Sequence, residues 1–481
     1  MSLKSKFSDF IQNKKEYPLF GGIIIGLYAF LFYYSNNFEN ANSISQLLFF
    51  IGYYILIPSI LCFFIDKIII KTRFRNKRRQ ILFIILSSSF TFYIGQNINF
   101  HHTFYKIFLI LFGLIVLISY KINNYKIMLV IVSIMSLIPL FKIGIIFSEL
   151  FNNNNNWTIQ PDEIEKCQFK KRPNIYYIQM DGYTNQYNLR NQIYDIDNSE
   201  FDSWLSVNNF THYEKFRSNY STTLKSNSSS FMMKHHYSKE KTGFKNARDY
   251  ILGNNPTLNI FKQNNYKTLF ITERPYLLSN RPKIEFDYCN FNYNEVPYIR
   301  DGWGIYKEIF PELKNQILKN KETSNFYFIE SFTPSHIAVH KNGSLGKEKE
   351  REKYKEKIKS ANQWLKETIT FINNNDSEAI IIIAADHGGF VGFNYTLESI
   401  KKTENKILLN SIFGAKLAIK WNSFEKSHTL YDKKLKTSVN LFRTLFSYLS
   451  ENKNLINNYQ KDDSYAEYDK NDDSKVYKAL E

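Results

Sequence analysis

The tetrapeptide Asp386-His387-Gly388-Gly389 is the part of this sequence best suited to chemistry. It follows four isoleucines and two alanines, a run that predicts a buried strand ending at Asp386. A carboxylate and an imidazole at a strand end, followed by glycines that let the chain turn, are suitable ligands for Zn²⁺, Mn²⁺ or Mg²⁺. A strand-end turn with an incidental histidine explains the same four residues.

Asp181 provides a second carboxylate in a similar setting. The residues before it, PNIYYIQM (173–180), predict another buried strand, and Gly182 follows. Asp-Gly is a common turn signal and means little by itself. Two carboxylates that converge at strand ends would repel each other, however, and a bound cation would offset that repulsion.

A hydroxyl-rich turn before a short apolar helix occupies residues 219–237, NYSTTLKSNSSSFMMKHHY. This arrangement places a Thr or Ser near the positive end of a helix dipole, where a hydroxyl beside a metal ion is well placed to attack a phosphoester. Taken alone, the segment is explained more simply as a serine-rich loop with an N-cap.

Strands that alternate with helices would position these residues. KTLFITE (267–273) and NFYFIESF (325–332) predict two more buried strands besides PNIYYIQM and EAIIIIAAD (378–386), and KEKEREKYKEKIKSANQWLKETITFINN predicts a long amphipathic helix. This order predicts an α/β domain with a mainly parallel sheet sandwiched by helices, in which ligands bind beyond the carboxyl ends of the strands. Polar residues fall at three of these ends: Asp181, Ser335-His336 and Asp386-His387.

The first 150 residues predict an α-helical transmembrane bundle. A span needs about 20 mainly apolar residues, and five segments qualify: about 18–35, 44–65, 79–97, 105–121 and 125–147. The first span follows a charged start but lacks a small-residue cleavage site. It is therefore predicted to be an anchor and not a removable signal peptide.

The charges of the short loops predict the orientation of the bundle. Lys and Arg are concentrated in the N-terminal tail and in the second and fourth loops, whereas the first loop has none and the third has none before Lys106. Basic loops stay in the cytoplasm, so five spans that start inside deliver the rest of the chain outside. The sequence thus predicts a multi-pass protein of a bacterial inner (cytoplasmic) membrane with an extracytoplasmic catalytic domain.

Composition divides the chain into four predicted regions. They are a five-span transmembrane domain (1–150), a polar linker (151–171), a catalytic domain (172–450) and a polar C-terminal tail (451–481). The net charge of +17 is compatible with nucleic-acid binding. Because much of that charge lies in short loops between apolar segments, we predict a membrane partner and no nucleic-acid partner.

Cysteine chemistry is not predicted to be central. Cys62, Cys167 and Cys289 show no Cys-x-x-Cys spacing of the kind that holds a metal or a redox pair. Cys167 and Cys289 would be able to pair in an oxidising compartment.

Taken in order, these motifs resemble the alkaline phosphatase superfamily. The order is strand-Asp-Gly, then Tyr-x-x-Thr-x-x-Ser before an apolar helix, then Ser-His after a strand, then Asp-His-Gly. The sequence is most similar to the sulfatase-like branch of membrane-bound phosphoglycerol and phosphoethanolamine transferases. That branch includes the lipoteichoic acid synthases, which also have five spans before an external catalytic domain. The resemblance covers about residues 172–450, including the late stretch TSVNLFRTLFSYL.

The resemblance implies roles for individual residues. Thr223, three residues after Tyr220, would be the catalytic nucleophile, and His336 would contact the substrate. One divalent metal ion, Mn, Zn or Mg, would be held by four residues: Asp181, Thr223, Asp386 and His387.

The sulfatase nucleophile motif is only partly present. Where sulfatases have Cys-x-Pro-Ser-Arg, this sequence has Thr-Leu-Lys-Ser-Asn at 223–227. Ser226 matches the Ser of that motif, which favours Thr223 over Thr222 as the nucleophile. The Cys or Ser that sulfatases convert to formylglycine is missing, so phosphoryl transfer is favoured over sulfate-ester hydrolysis.

Several other residues receive weaker predictions. Lys225 would either stabilise phosphoryl oxygens or be a solvated lysine. His340 is a weaker substrate-contact candidate than His336, and His428 is a candidate ligand of a second metal. His235 and His236 are predicted to be structural.

The implied function is transfer of a phospho-alcohol head group, phosphoglycerol or phosphoethanolamine. The donor would be a phospholipid, the acceptor a cell-surface glycan or lipid, and the intermediate a covalent Thr phosphoenzyme. Two alternatives remain open: an extracytoplasmic phosphoester or sulfoester hydrolase of the same fold, and a non-catalytic envelope scaffold.

Overall fold

The computed structural model describes residues 3–98, 104–151, 155–236, 246–299, 302–422, 426–470 and 473–481. The chain forms two compact units. The first consists of Met1–Asn153 with the short segments Ser279–Arg281 and Pro297–Asp301, and the second contains the rest of the chain.

The first unit is helical. Its helices are α1 (Leu3–Gln12), α2 (Pro18–Asn36), α3 (Phe38–Ala41), α4 (Ile44–Phe50), α5 (Ile57–Ile70), α6 (Arg78–Ile98), α7 (Phe104–Ser119), α8 (Tyr125–Met135) and α9 (Leu137–Phe151). A π-helical turn, Ile51–Leu56, joins α4 to α5.

Within the described part of this unit, four helical stretches are long and apolar enough to cross a membrane: Pro18–Asn36, Ile44–Ile70, Arg73–Ile98 and Tyr125–Phe151. The fifth predicted span corresponds to a shorter apolar helix, Tyr105–Ser119. Large apolar side chains such as Leu109 and Phe141 are exposed on these helices, as expected where lipid is the solvent. The prediction of an N-terminal bundle of apolar helices is confirmed.

Close packing of α2 explains two of its glycines. A Cβ atom at Gly26 would lie 1.9 Å from the carbonyl oxygen of Tyr54, and one at Gly22 would lie 2.5 Å from the Cα atom of Ser59. Small residues four apart let membrane helices approach this closely. At the end of α5, Asp66 accepts two hydrogen bonds from the Arg78 guanidinium, at 2.6 and 2.8 Å, so this buried carboxylate is paired.

The second unit contains a seven-stranded sheet in the order β2-β7-β6-β1-β5-β3-β4. The strands β1, β3, β4, β5 and β6 are parallel, whereas β7 pairs antiparallel to β6 and β2 antiparallel to β7. Their bounds are β1 (Ile175–Met180), β2 (Phe210–His212), β3 (Lys267–Thr272), β4 (Tyr288–Cys289), β5 (Asn325–Ser331), β6 (Ile380–Ala384) and β7 (Leu417–Lys420).

Helices cover both faces of this sheet. They are α10 (Gln186–Leu189), α11 (Ser199–Val207), α12 (Thr223–Met232), α13 (Ala247–Leu252), α14 (Pro256–Gln263), α15 (Ile309–Lys319), α16 (Lys347–Asn375), α17 (Lys406–Phe413), α18 (Thr429–Asp432) and α19 (Leu441–Ser450). Tyr177 packs against Phe231 of α12 and Phe442 of α19. On the other face, the Tyr327 hydroxyl donates to the Gln316 carbonyl of α15.

Burial on both faces explains why the central strands are continuously apolar. The four strands predicted from such runs are present, as is the long helix α16, so the predicted α/β class is confirmed. The short strands β2, β4 and β7 lack a long apolar run and were not predicted.

The ends of the second unit differ from the predicted linker and tail. Within the predicted linker, Ile164, Cys167 and Phe169 are buried in the core of the second unit. Within the predicted tail, β8 (Ser464–Lys470) and β9 (Asp473–Leu480) form an antiparallel hairpin. Ala466 of that hairpin is also buried in the core. Residues 152–154 lie outside the described residues.

Candidate metal centre

Asp181 is held where β1 ends. Its backbone N–H donates to the Ser331 carbonyl at 2.9 Å, and its carbonyl accepts from the Ser335 N–H at 2.8 Å. Gly182 then turns the chain with a φ of +65°, and a Cβ atom there would lie 2.7 Å from the Ser335 carbonyl carbon. Both features favour glycine after the aspartate.

Asp386 follows β6 and reaches the same turn. Its Oδ1 accepts from the Gly182 N–H at 3.1 Å and from the His387 N–H at 3.0 Å. Its Oδ2 is buried and has no hydrogen-bond partner among the residues that the structure describes. Gly388 allows the loop to pack tightly, since a Cβ atom there would lie 2.2 Å from the Ser411 carbonyl oxygen. One carboxylate oxygen is therefore fixed by the backbone while the other lacks a partner.

His387 completes the cluster. Its Nδ1 lies 2.9 Å from the Gly388 carbonyl, an acceptor, so Nδ1 carries a proton and Nε2 is the ring nitrogen left to bind a metal ion. Nε2 lies 3.5 Å from the Asp181 Oδ1 and 3.4 Å from the Asp386 Oδ2. One ligand atom from each of the three buried residues lies within 4.8 Å of the other two.

The electrostatics of this cluster favour a cation. Burial, and then the Asp386 carboxylate, raise the pKa of Asp181 to about 7. Burial opposes a charge on His387, yet the two carboxylates raise its pKa. Two carboxylates and an imidazole suit Zn²⁺ or Mn²⁺, and the hydrogen bond from Nδ1 is the kind of outer contact that orients a histidine ligand. Asp181, Asp386 and His387 thus fit a divalent metal ion.

His336 lies beside the cluster, with its ring centroid 5.8 Å from that of His387. Its Nδ1 faces the Ile337 carbonyl at 2.7 Å and the Thr396 hydroxyl at 3.2 Å. Burial and the neighbouring His387 lower the pKa of His336 to about 4. The ring is therefore neutral at neutral pH, and its Nε2 is a hydrogen-bond acceptor.

Thr223 is the first residue of α12, and Thr222 is the N-cap. The segment before the helix is held near the loop of residues 386–391, which we call the metal-centre loop: Ser218 N–H donates to the Phe413 carbonyl, and Gly388 N–H donates to the adjacent Ile412 carbonyl. The Ser226 hydroxyl donates back to the Tyr220 carbonyl at 2.8 Å, which closes the turn that carries Thr223.

The weaker predictions have separate outcomes. The Lys225 ammonium is paired with the Glu467 carboxylate of β8. His236 stacks on the Tyr220 ring with centroids 4.2 Å apart, and His235 lies 3.1 Å from the Tyr220 hydroxyl. These contacts agree with structural roles for both histidines.

His428 has contacts away from the cluster. Its Nδ1 lies 2.8 Å from the Asp432 carboxylate, and its ring stacks on Trp421. No second group of metal-capable side chains occurs among the described residues, so His428 remains a prediction without a partner site. His340 is exposed. Cys167 and Cys289 are both free thiols, so their suggested disulfide is absent here.

Two residues near the metal centre were not predicted from the sequence. Tyr354 of α16 donates its hydroxyl to the Gly182 carbonyl at 2.8 Å and accepts from the Thr184 N–H at 3.0 Å. Glu330 of β5 is buried with one carboxylate oxygen unpaired, and burial raises its pKa well above the usual value. A tyrosine in an amphipathic helix and a glutamate within an apolar strand are common, so neither sequence pattern indicated that these residues lie near the metal centre.

The chain was compared with known proteins. No protein-family model matches it, and no curated protein matches its sequence. Among solved structures, it is similar to the integral membrane lipooligosaccharide phosphoethanolamine transferase A from Neisseria meningitidis, with 11% identity and a TM-score of 0.44. That similarity covers 88% of this chain and 95% of the other.

Two further solved structures are similar to about two thirds of the chain. The lipoteichoic acid synthase LtaP from Listeria monocytogenes has 14% identity and a TM-score of 0.41, covering 64% of this chain and 82% of its own. The periplasmic domain of EcEptC from Escherichia coli has 12% identity and a TM-score of 0.40, covering 65% and 95%. These are the kinds of protein that the sequence motifs resemble. Similarities at these identities and TM-scores assign no activity to this chain.

Proposed function

We propose that this chain is a membrane-anchored, metal-dependent transferase of phospho-alcohol head groups. It would take phosphoglycerol or phosphoethanolamine from a phospholipid and attach it to a surface glycan or lipid. The observation that carries the proposal is the buried cluster of Asp181, Asp386 and His387, in which the His387 Nε2 faces both carboxylates and the Asp386 Oδ2 has no hydrogen-bond partner among the described residues.

The position of α12 supports Thr223 as the nucleophile. Phe231 of α12 packs against Tyr177 and Phe328, so α12 covers the face of the sheet that also carries Asp181, four residues after Tyr177. Thr223 lies eight residues before Phe231, about 12 Å along the helix, and Asp181 lies about 13 Å along the strand from Tyr177. Since the segment before α12 is held near the metal-centre loop, these lengths support a position of Thr223 close to Asp181.

The metal ion would be held by Asp181, Asp386, His387 and the Thr223 hydroxyl. It would supply Lewis-acid chemistry, lowering the pKa of the hydroxyl and offsetting the charge of the phosphoryl oxygens. The buried setting of the cluster excludes water and strengthens these interactions.

The proposed reaction has two steps, each a displacement at phosphorus. In the first, the Thr223 oxygen forms a bond to phosphorus, the bond from phosphorus to the diacylglycerol oxygen breaks, and the hydroxyl proton ends on diacylglycerol. In the second, an acceptor hydroxyl attacks phosphorus and Thr223 leaves. The neutral His336 Nε2 accepts the acceptor's proton, which finally restores the Thr223 hydroxyl.

The membrane location fits this chemistry. Apolar helices that span a bilayer keep the second unit where phospholipid head groups are concentrated. The basic tail and loops predict that this unit lies on the extracytoplasmic side of a bacterial cytoplasmic membrane. A phospholipid donor and a surface acceptor are both present there.

Head-group labelling tests the proposal with the full chain in lipid vesicles. A labelled phospholipid is supplied with acceptor glycan or lipid, and the label is expected on the acceptor. After acid quenching, label is also expected on the protein. Thr223→Ala should abolish both signals, whereas Thr222→Ala, one residue earlier, should retain them. Label found only as free phospho-alcohol would mean a hydrolase, and no release of label with any divalent metal would refute an enzyme.

A further inference from the structure

The loops around His336 carry apolar side chains that are exposed to solvent. Val339, Leu345 and Leu397 are 41%, 56% and 40% exposed, and Ile400 and Ile407 are similarly open. Single exposed apolar residues are common on soluble proteins, but several in one place mark an interaction surface.

Hydrogen bonds join these loops into one surface. Leu397 N–H donates to the Val339 carbonyl at 3.1 Å, and Thr396 N–H donates to the Ala338 carbonyl at 2.8 Å. Ser344 is bonded to the Asn394 carbonyl, which connects the loop of Leu345 to the same ladder. We call the surface formed by residues 339–349 and 397–407 the apolar-basic rim.

The rim adjoins the candidate metal centre. Thr396 contacts the His336 Nδ1 at 3.2 Å, and the His336 ring lies 5.8 Å from the His387 ring. A cavity of about 370 Å³ opens beside the rim between Ile407, Lys347 and Arg351, and Val391 of the metal-centre loop lines its other side. A molecule bound at the rim is therefore close to the reacting groups.

Positive charge surrounds the apolar side chains. The rim contains six exposed lysines that form no ion pair among the residues that the structure describes: Lys341, Lys347, Lys349, Lys401, Lys402 and Lys406. Fewer carboxylates accompany them, and one of these, Glu398, accepts hydrogen bonds from Asn394. The rim therefore has a net positive charge.

We propose that the apolar-basic rim docks the catalytic unit onto the surface of a bilayer that contains anionic phospholipids. Apolar side chains would enter the boundary between head groups and acyl chains, while the lysine ammonium groups would meet lipid phosphates. This inference rests on the proposed use of a lipid donor. The docking proposal adds that the lipid donor stays in the bilayer while the catalytic unit binds its head group.

A protein partner would fit this surface less well. Protein interfaces are depleted of lysine at their centres, whereas surfaces that bind anionic membranes combine lysines with inserted apolar side chains. The combination of lysines and exposed apolar side chains therefore favours an anionic lipid surface as the binding partner.

The test compares two donors with the same head group in vesicles that contain the full chain. One donor is a long-chain bilayer phospholipid, and the other is a short-chain analogue that dissolves in water. The double variant Leu345→Ser and Leu397→Ser is expected to slow use of the bilayer donor about tenfold and to leave use of the soluble donor within about twofold. Val207→Ser with Leu318→Ser is the matched control, because both residues are exposed elsewhere, at 81% and 50%.

Equal loss with both donors, or no loss with either, would overturn the docking proposal. Changing Lys349 and Lys401 to Gln should slow use of the bilayer donor in vesicles of phosphatidylethanolamine with phosphatidylglycerol, but not in vesicles without the anionic lipid. An effect independent of lipid charge would contradict the role given to these lysines.

A second readout does not depend on catalysis. In Leu397→Trp, lipids brominated on their acyl chains should quench the new fluorescence more than they quench that of Val207→Trp. If neither donor is used but Trp at 397 is quenched, the proposed function fails and the docking surface stands. If both donors are used and the two variants are quenched equally, the docking proposal fails by itself.

Discussion

The Asp386 carboxylate would repel the Asp181 carboxylate in the metal-free protein and bind the metal ion when it is present. Replacing Asp386 with Asn should therefore make the metal-free protein more stable and remove most of the stabilisation by metal. The amide oxygen of Asn can accept the same bonds from the Gly182 and His387 N–H groups. Its NH₂ takes the place of Oδ2, which has no partner, and can donate to the His387 Nε2. The side chain is nearly isosteric, so the change is mainly one of charge.

The pKa of Asp181 sets the magnitude. Its rise from 3.8 to about 7 comes first from burial and then from Asp386, and at about 1.4 kcal/mol per pKa unit it corresponds to about 4 kcal/mol. Asp386 is the second cause of this rise, after burial, so its share is the smaller one. Removing that charge should therefore raise the melting temperature of the metal-free protein by a few degrees, since about 1 kcal/mol shifts it by roughly 2–4 °C in a large domain.

The sign of the pH dependence follows from the same shift. An acid whose folded-state pKa is raised destabilises the fold progressively as pH rises from its unfolded pKa to its folded pKa. Metal-free wild-type protein should thus lose stability between about pH 4 and pH 7. The loss should be smaller in Asp386→Asn, because one source of the shift is gone.

The assay is thermal unfolding of the full chain in detergent, with chelator and then with Zn²⁺ or Mn²⁺. Wild type should be stabilised strongly by metal, because a ligand that binds only the folded state adds to its stability. Asp386→Asn should melt above wild type in chelator and respond little to metal. The reasoning is refuted if the variant melts below wild type in chelator, or if metal stabilises both proteins equally.

Three further predictions concern packing. Gly388→Ala should lower activity at least about tenfold while the protein stays folded, because the new Cβ would clash with the Ser411 carbonyl oxygen and shift the metal-centre loop. Metal affinity, measured by titration, should fall as well. Gly26→Leu should prevent α2 from packing beside Tyr54 and lower the yield of folded protein in detergent, whereas Gly144→Leu, at an open position, should not. Glu467→Gln should weaken the pairing of β8 with Lys225 by about 1 kcal/mol; unchanged protease resistance of the C-terminal hairpin would contradict this.

The elements that the sequence predicted best are those with a local cause. The apolar strands before Asp181 and Asp386 are buried on both faces, so their composition alone distinguishes them from the amphipathic helix α16. The membrane helices were predicted for a similar reason, since length and apolar content decide whether a helix can span lipid.

The elements that escaped prediction depend on distant partners. β7 and β2 are short antiparallel strands that exist because each pairs with a neighbour along the sheet. The hairpin of β8 and β9 has a polar, charged sequence. It is held to the second unit in part by backbone bonds, such as that from the Tyr465 N–H to the Asn219 carbonyl. Neither the pairing of β2 and β7 nor that of the hairpin produces a periodic apolar pattern in the sequence, so neither was predicted.

The candidate site shows the same division. The sequence by itself determined which residue types stand at the strand ends, because a carboxylate followed by glycine after an apolar run is a local pattern. Only the tertiary structure decided that Asp181, Asp386 and His387 share one buried point, that Glu330 and Tyr354 lie beside it, and that Lys225 is paired with Glu467. These contacts join residues far apart in the chain, and long-range proximity is fixed by the packing of the sheet and its helices, which no local stretch of sequence contains.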